Sequence, residues 1–176
     1  MDLKSKIILI SGPTASGKTN FAVKLAKKIN GEIINADSMQ VYKELKILTA
    51  RPSKNEKKNI KHHLYGFQSV KKIFSTGSWL KLTIKKIKEV QRKNKTPILV
   101  GGTGLYFKAL TDGLVTIPNI PKKIRLQIRN LQKKIGQRKF YKMLVKFDPL
   151  SKSKINSNDS QRTVRAYEIK KYTKKS

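Results

Sequence analysis

With 176 residues, 38% of them hydrophobic, the chain has material for one core and a small appendage. The absence of cysteine excludes disulfides and thiolate chemistry, and no apolar run nears the ~18 residues of a membrane span. The formal charge of +31 makes nucleic acid the first partner to consider.

Met1-Asp2-Leu3-Lys4-Ser5-Lys6 lacks the apolar stretch of a signal peptide, so we expect a soluble cytoplasmic protein. Ile7 to Ser11 is a short apolar run bounded by glycine and proline and predicts a buried strand. Ala22, Leu25, Ala26 and Ile29 have helical spacing, and Asn30-Gly31 is a helix stop. Glu32 to Asn35 predicts a second strand, followed by Asp37-Ser38-Met39-Gln40. Thr49 to Lys61 is polar and basic, an exposed loop with room for a helical turn. Leu80, Ile84, Ile87 and Val90 mark one helix face, with Ser75-Thr76-Gly77-Ser78 ahead of it. Pro97 to Val100 predicts a third buried strand, ending in Gly101-Gly102.

Strands and helices alternating at these spacings imply a parallel sheet covered by helices. Beyond Pro118 the pattern becomes helical and basic. Ile124, Ile128, Leu131 and Ile135 trace one amphipathic helix, and Phe140, Leu144 and Phe147 a second, stopped by Asp148-Pro149. Asn158-Asp159-Ser160 caps a last helix holding Gln161, Arg162, Arg165 and Glu168. The fold class is therefore α/β, with residues 1–119 as core, 120–150 as a small basic helical insertion and 151–176 returning to the core. The charge is +16 up to Asn119 and +15 in the shorter remainder. A second source for it is codon composition, because Lys, Ile and Asn make up 63 residues and Lys outnumbers Arg 34 to 7.

Gly12-Pro13-Thr14-Ala15-Ser16-Gly17-Lys18-Thr19 matches the P-loop pattern completely, between a strand and a helix. Its glycines let successive amides face a phosphate, and the helix N-terminus adds partial positive charge. Lys18 can bridge phosphate oxygens, and the Thr19 hydroxyl suits a magnesium ion. Ordinary P-loop ATPases end a later strand in an aspartate. Here that strand ends in Gly101-Gly102-Thr103, so the carboxylate expected beside the loop is Asp37. Ligands of open α/β sheets bind at the carboxyl ends of the strands, which would bring both to one crevice.

Six segments occur in order: GPTASGKT from Gly12, Asp37-Ser38-Met39-Gln40-Val41-Tyr42, Thr49-Ala50-Arg51-Pro52, His62-His63-Leu64, Val100-Gly101-Gly102-Thr103-Gly104-Leu105-Tyr106, and Asp159-Ser160-Gln161-Arg162-Thr163-Val164-Arg165-Ala166. Together they resemble the tRNA dimethylallyltransferase family along nearly the whole chain. The resemblance implies a P-loop NTPase-like fold in which the loop holds the diphosphate of dimethylallyl diphosphate. It further implies transfer of the dimethylallyl group to N6 of the adenosine 3′ of the tRNA anticodon. Asp37 would be the base, Lys18 and a magnesium ion on Thr19 would neutralise the leaving diphosphate, and the adenine would flip out of its stack.

By the same resemblance Asp37, Ser38, Met39, Gln40, Thr103, Arg125, Gln161, Arg162, Thr163, Val164 and Arg165 would line the tRNA side. Residues 120–150 would match the insertion that grips the anticodon stem. The partners expected are tRNA and dimethylallyl diphosphate, with no membrane, for a monomer. Members of that family continue well beyond the Gln161 helix, so we expect a C-terminally truncated chain. In that case diphosphate binding should survive better than full catalysis.

Plainer readings stand beside these. Asp37 also fits a turn cap, Gly101, Gly102 and Gly104 fit tight packing, and Arg162 and Arg165 fit a solvated face. Trp79 is expected in the core. Adjacent side chains on a strand diverge, so His62 and His63 are read as packing or RNA-contact residues and not as a metal pair. Two rival functions keep the same motifs: a P-loop nucleoside or metabolite kinase, and a non-catalytic tRNA-binding remnant of the transferase.

Overall fold

A computed structural model of the chain describes residues 6–115, 117 and 119–175. The Ile-rich run forms β1 (Ile8–Ser11), the glycine loop follows, and α1 (Lys18–Lys28) starts at the P-loop lysine. Asn30, at φ 53°, turns the chain into β2 (Gly31–Asn35), which is buried along its whole length. A methyl on Gly31 would meet Ile98 Cδ1 at 2.7 Å, so glycine permits the close approach of the neighbouring strand.

The basic loop holds one turn, α2 (Lys54–Lys57), closed by a capping box between Ser53 and Glu56. Then come β3 (His62–His63), α3 (Thr76–Gln91), β4 (Thr96–Gly101) and α4 (Gly104–Thr111). The strands form one parallel sheet in the order β1-β4-β2-β3. Of these, β3, a two-residue polar strand, and α4, whose opening glycine reads as loop, were not delineated from sequence.

Both faces of the sheet are covered, which is why β2 and β4 are buried at every position and not at alternate ones. Ile33, Ile98 and Val100 face Ala22, Val23 and Ala26 of α1. One residue along each strand, Ile34, Ala36 and Leu99 point the other way, onto Trp79, Ile87 and Val90 of α3 and Tyr106 of α4. Each of the buried Ile and Leu side chains contributes roughly 2 kcal/mol of transfer free energy.

The chain divides into two compact units, Met1–Leu114 and Val115–Ser176. The second holds α5 (Lys122–Ile135), α6 (Gln137–Phe147), α7 (Ser151–Lys154) and α8 (Ser160–Thr173). Its core is Ile128, Phe140 and Val164, packed by Ile124, Leu131, Met143 and Tyr167. The Tyr167 ring lies 5.2 Å from that of Phe140 and 5.3 Å from that of Phe147. The division thus falls at 114/115, and not at 119/120. Residues 151–176, expected to return to the core, supply α8 to the same helical unit as 120–150, because Val164 and Tyr167 complete its apolar centre.

Candidate functional site

The loop between β1 and α1 takes two left-handed residues, Ala15 (φ 64°) and Gly17 (φ 77°), and Gly17 immediately precedes the helix. Lys18 folds back over the loop, its Nζ donating to the Pro13 carbonyl at 2.7 Å. The Thr19 hydroxyl, one residue further on, has no hydrogen-bond partner among the described residues.

Asp37 lies just past the tip of β2 and is fixed from several sides. Its N–H donates to Asn35 Oδ1 at 2.9 Å, and Asn35 Nδ2 in turn donates to the Asp37 and Leu64 carbonyls. The amides of Met39 and Gln40 donate to Asp37 Oδ1 at 2.8 and 3.3 Å. Asp37 therefore caps the turn with one oxygen and keeps Oδ2 without a protein partner among the described residues. Gly101 makes room for this strand tip. A methyl there would stand 2.1 Å from the carbonyl carbon and oxygen of Ala36 and 2.7 Å from the Asp37 nitrogen.

Thr103 braces the same turn, with its Oγ1 accepting from the Ser38 amide at 2.9 Å and donating to Ser38 Oγ at 3.3 Å. Gln40 Nε2 donates to the Thr49 carbonyl at 2.9 Å, tying the turn to the TARP loop. Arg51 pins that loop through the carbonyls of Tyr42 and Lys43, its guanidinium seated over Gly66, where a side chain would overlap it.

These pieces enclose a cavity of about 550 Å³. Thr14 to Thr19 form one wall, while Asp37, Gln40 and Gly101 contribute from the strand ends. Tyr65, Glu56 and Lys58 were not singled out from sequence and also line it. Burial, aided by the Asp37 charge, pushes the Tyr65 hydroxyl well above its ordinary pKa, so it stays a proton-bearing donor in the cavity. The only signal for Tyr65 was its place two residues after the His62-His63 pair.

The histidines are structural. His63 Nε2 meets the buried Glu32 carboxylate at 2.6 Å, with Lys95 Nζ on the other oxygen at 3.0 Å. His62 Nδ1 pairs with the Ile60 carbonyl at 2.8 Å. Among the described residues no cluster of His, Cys, Asp and Glu could hold a metal by itself.

The remaining expected contacts lie in the helical unit. Gln161, Arg162 and Arg165 are exposed on α8, whereas the Thr163 and Val164 side chains are buried. Thr163 Oγ1 donates to the Asp159 carbonyl at 2.6 Å, which makes its side chain part of the helix start. Arg125 and Arg165 both face Glu168. Met39, half exposed, remains with Asp37 in the first unit.

A parallel sheet whose first strand runs through a glycine loop into a helix, with helices on both faces, defines a P-loop NTPase-like α/β fold, shared with solved structures. One is the full-length tRNA isopentenylpyrophosphate transferase of Bacillus halodurans (TM-score 0.63, 36% identity, 96% of this chain and 56% of that one). Another is a eukaryotic dimethylallyltransferase acting on tRNA (TM-score 0.79, 33% identity, 96% of this chain and 42% of that one). The IPP transferase family model matches residues 40–176, and the chain belongs to that family. It is 70% identical to the tRNA dimethylallyltransferase of Pelagibacter ubique (strain HTCC1062), covering 98% of this chain and 55% of the relative. It is 52% identical to that of Rickettsia rickettsii (strain Sheila Smith), covering 98% and 48%. The chain thus spans about half the length of the curated relatives it matches.

Proposed function

We propose that the chain carries the diphosphate-binding and proton-accepting half of a tRNA dimethylallyltransferase, moving a dimethylallyl group from its diphosphate to N6 of the adenosine 3′ of the anticodon. The observation that carries this reading is that Asp37, with an oxygen to spare, lines the same cavity as the complete P-loop.

In the reaction the N6–C bond forms as the C–O bond to diphosphate breaks, and Asp37 Oδ2 takes the N6 proton. Lys18 exchanges the Pro13 carbonyl for a phosphate oxygen, and the loop amides take up the charge that develops on the leaving group. The donor set fits a magnesium ion. A free Thr19 hydroxyl beside the phosphate cradle suits an ion that takes most of its oxygens from substrate and water. Bound there, magnesium would supply charge neutralisation to the leaving diphosphate. Tyr65, kept protonated, is placed as a further donor on the cavity wall. A substrate of tRNA suits a protein of the cytoplasm acting as a monomer, and both belong to this reading.

The test is incubation with dimethylallyl diphosphate, magnesium and unmodified tRNA, followed by nucleoside mass spectrometry. Isopentenyl adenosine should form and should fall by about 10²–10⁴ in Asp37→Asn. Phosphate transfer from ATP to a nucleoside would instead establish the kinase reading. Bound tRNA with no product would establish a non-catalytic remnant.

A further inference from the structure

Glu168 is 1% exposed, yet three guanidiniums converge on it: Arg165 Nη1 at 3.3 Å and Arg125 Nε at 3.8 Å on Oε2, and Arg129 Nε at 3.4 Å on Oε1. The arginine side chains themselves are 41–55% exposed. A buried carboxylate needs one cation to offset its charge. Three leave two positive charges in excess, held apart from solvent freedom by a shared anchor. Arg125 and Arg129 are one turn apart on α5, while Arg165 comes from α8, so the carboxylate fixes cations of two helices in one register. The Arg125 Nε is buried and has no hydrogen-bond partner, an unspent donor at the centre of the cluster.

Beside the cluster lies a cavity of about 680 Å³ between α5 and α8, lined among others by Arg129, Asn130, Lys133, Gln161, Arg165 and Glu168. Its cations outnumber its one acid, and the amides of Asn130 and Gln161 can donate to a sugar hydroxyl.

We infer that Glu168 is a positioning residue that holds Arg125, Arg129 and Arg165 as a preset fork for a backbone phosphate of RNA, with Arg129 as its third arm. This rests on the reading that the protein acts on tRNA. Guanidinium groups match the two free oxygens of a phosphodiester, and arginines already aligned lose little freedom on binding. Asn130 and Gln161 flank the position where the adjoining ribose would lie.

The experiment measures binding of a fluorescent anticodon stem-loop to the 176-residue chain and its variants by anisotropy. Arg129→Gln should weaken binding about tenfold. Arg138→Gln, which removes the same charge from an exposed place on α6, should weaken it far less. Arg129→Lys should stay impaired, because it restores charge without the fork. Glu168→Gln raises the net charge by one, so plain electrostatics predicts tighter binding; loss of the fork predicts weaker binding. Equal effects of Arg129→Gln and Arg138→Gln would overturn the inference, as would tight binding by folded Glu168→Gln. If Glu168→Gln does not fold, the two exposed arginine variants decide alone. Arg129-dependent binding of inorganic diphosphate, with stem-loop binding unaffected by Arg129→Gln, would assign the fork to a free anion and overturn it too. No stem-loop binding by the unaltered chain would sink both this inference and the tRNA reading.

Discussion

An alanine methyl at Gly101 would stand 2.1 Å from the Ala36 carbonyl, whereas at Gly104, the first residue of α4, it would meet nothing within 4 Å. Gly101→Ala should therefore cost about 3 kcal/mol or more, read from the urea midpoint, and displace Asp37; Gly104→Ala should be neutral or slightly stabilising. The sequence marked both as punctuation, since glycine pairs after an apolar run are visible. Which one yields to a crossing backbone depends on β2, some seventy residues earlier in the chain, and no local pattern holds that. Asp37 is similar. Capping and base catalysis were alternatives in the sequence; in the structure the cap uses Oδ1 and leaves Oδ2, the oxygen the proposed base role needs, without a protein partner among the described residues. Asp37→Asn keeps the Oδ1 acceptor, so its stability should stay within about 0.5 kcal/mol of the unaltered chain while activity falls.

At the scale of elements, the helices α1, α3, α5 and α6 were legible because their apolar residues repeat every three to four positions, and α8 because Asn158-Asp159-Ser160 marks its start. The edge strand β3 was not, since two polar residues carry no period. What holds it is an ionic clasp: Glu32 of β2 between His63 of β3 and Lys95. Burial works to raise the Glu32 pKa, but the hydrogen bonds from His63 and Lys95 more than offset it and hold the carboxyl low. Burial lowers the His63 pKa against the pull of Glu32, and lowers that of His62 as well. Below the ordinary imidazole value of about 6.5 the unfolded chain takes up protons that the folded chain resists. Stability should accordingly be full above that value and decline as pH falls through it towards the lower folded values. The chain has two histidines, so replacing both with Gln should flatten a urea-midpoint profile in that window.

At the scale of the whole molecule the chain divides into a unit built on the P-loop sheet and a basic helical unit. That two parts exist was legible from the change of period and charge near Pro118, itself outside the described residues. That residues 151–176 join the helical unit was not, because the grouping rests on Tyr167 of α8 meeting Phe140 and Phe147 of α6. The charge of +31 carries a prediction at this scale. If it serves RNA, stem-loop affinity should fall by about 10³ between roughly 50 and 200 mM salt, as for some six neutralised phosphates. A flat salt response would leave the lysine excess to codon composition.

The single tryptophan gives the first unit an optical voice of its own. Trp79 is fully buried, stacks on Tyr106 at 4.1 Å, and donates its indole N–H to the Asn35 carbonyl at 2.9 Å, two residues from Asp37. Its emission should be blue-shifted and should respond when a diphosphate ligand tightens the strand tip. The helical unit contributes no tryptophan, so this signal separates what happens at the phosphate loop from what happens on the basic helices, without any label.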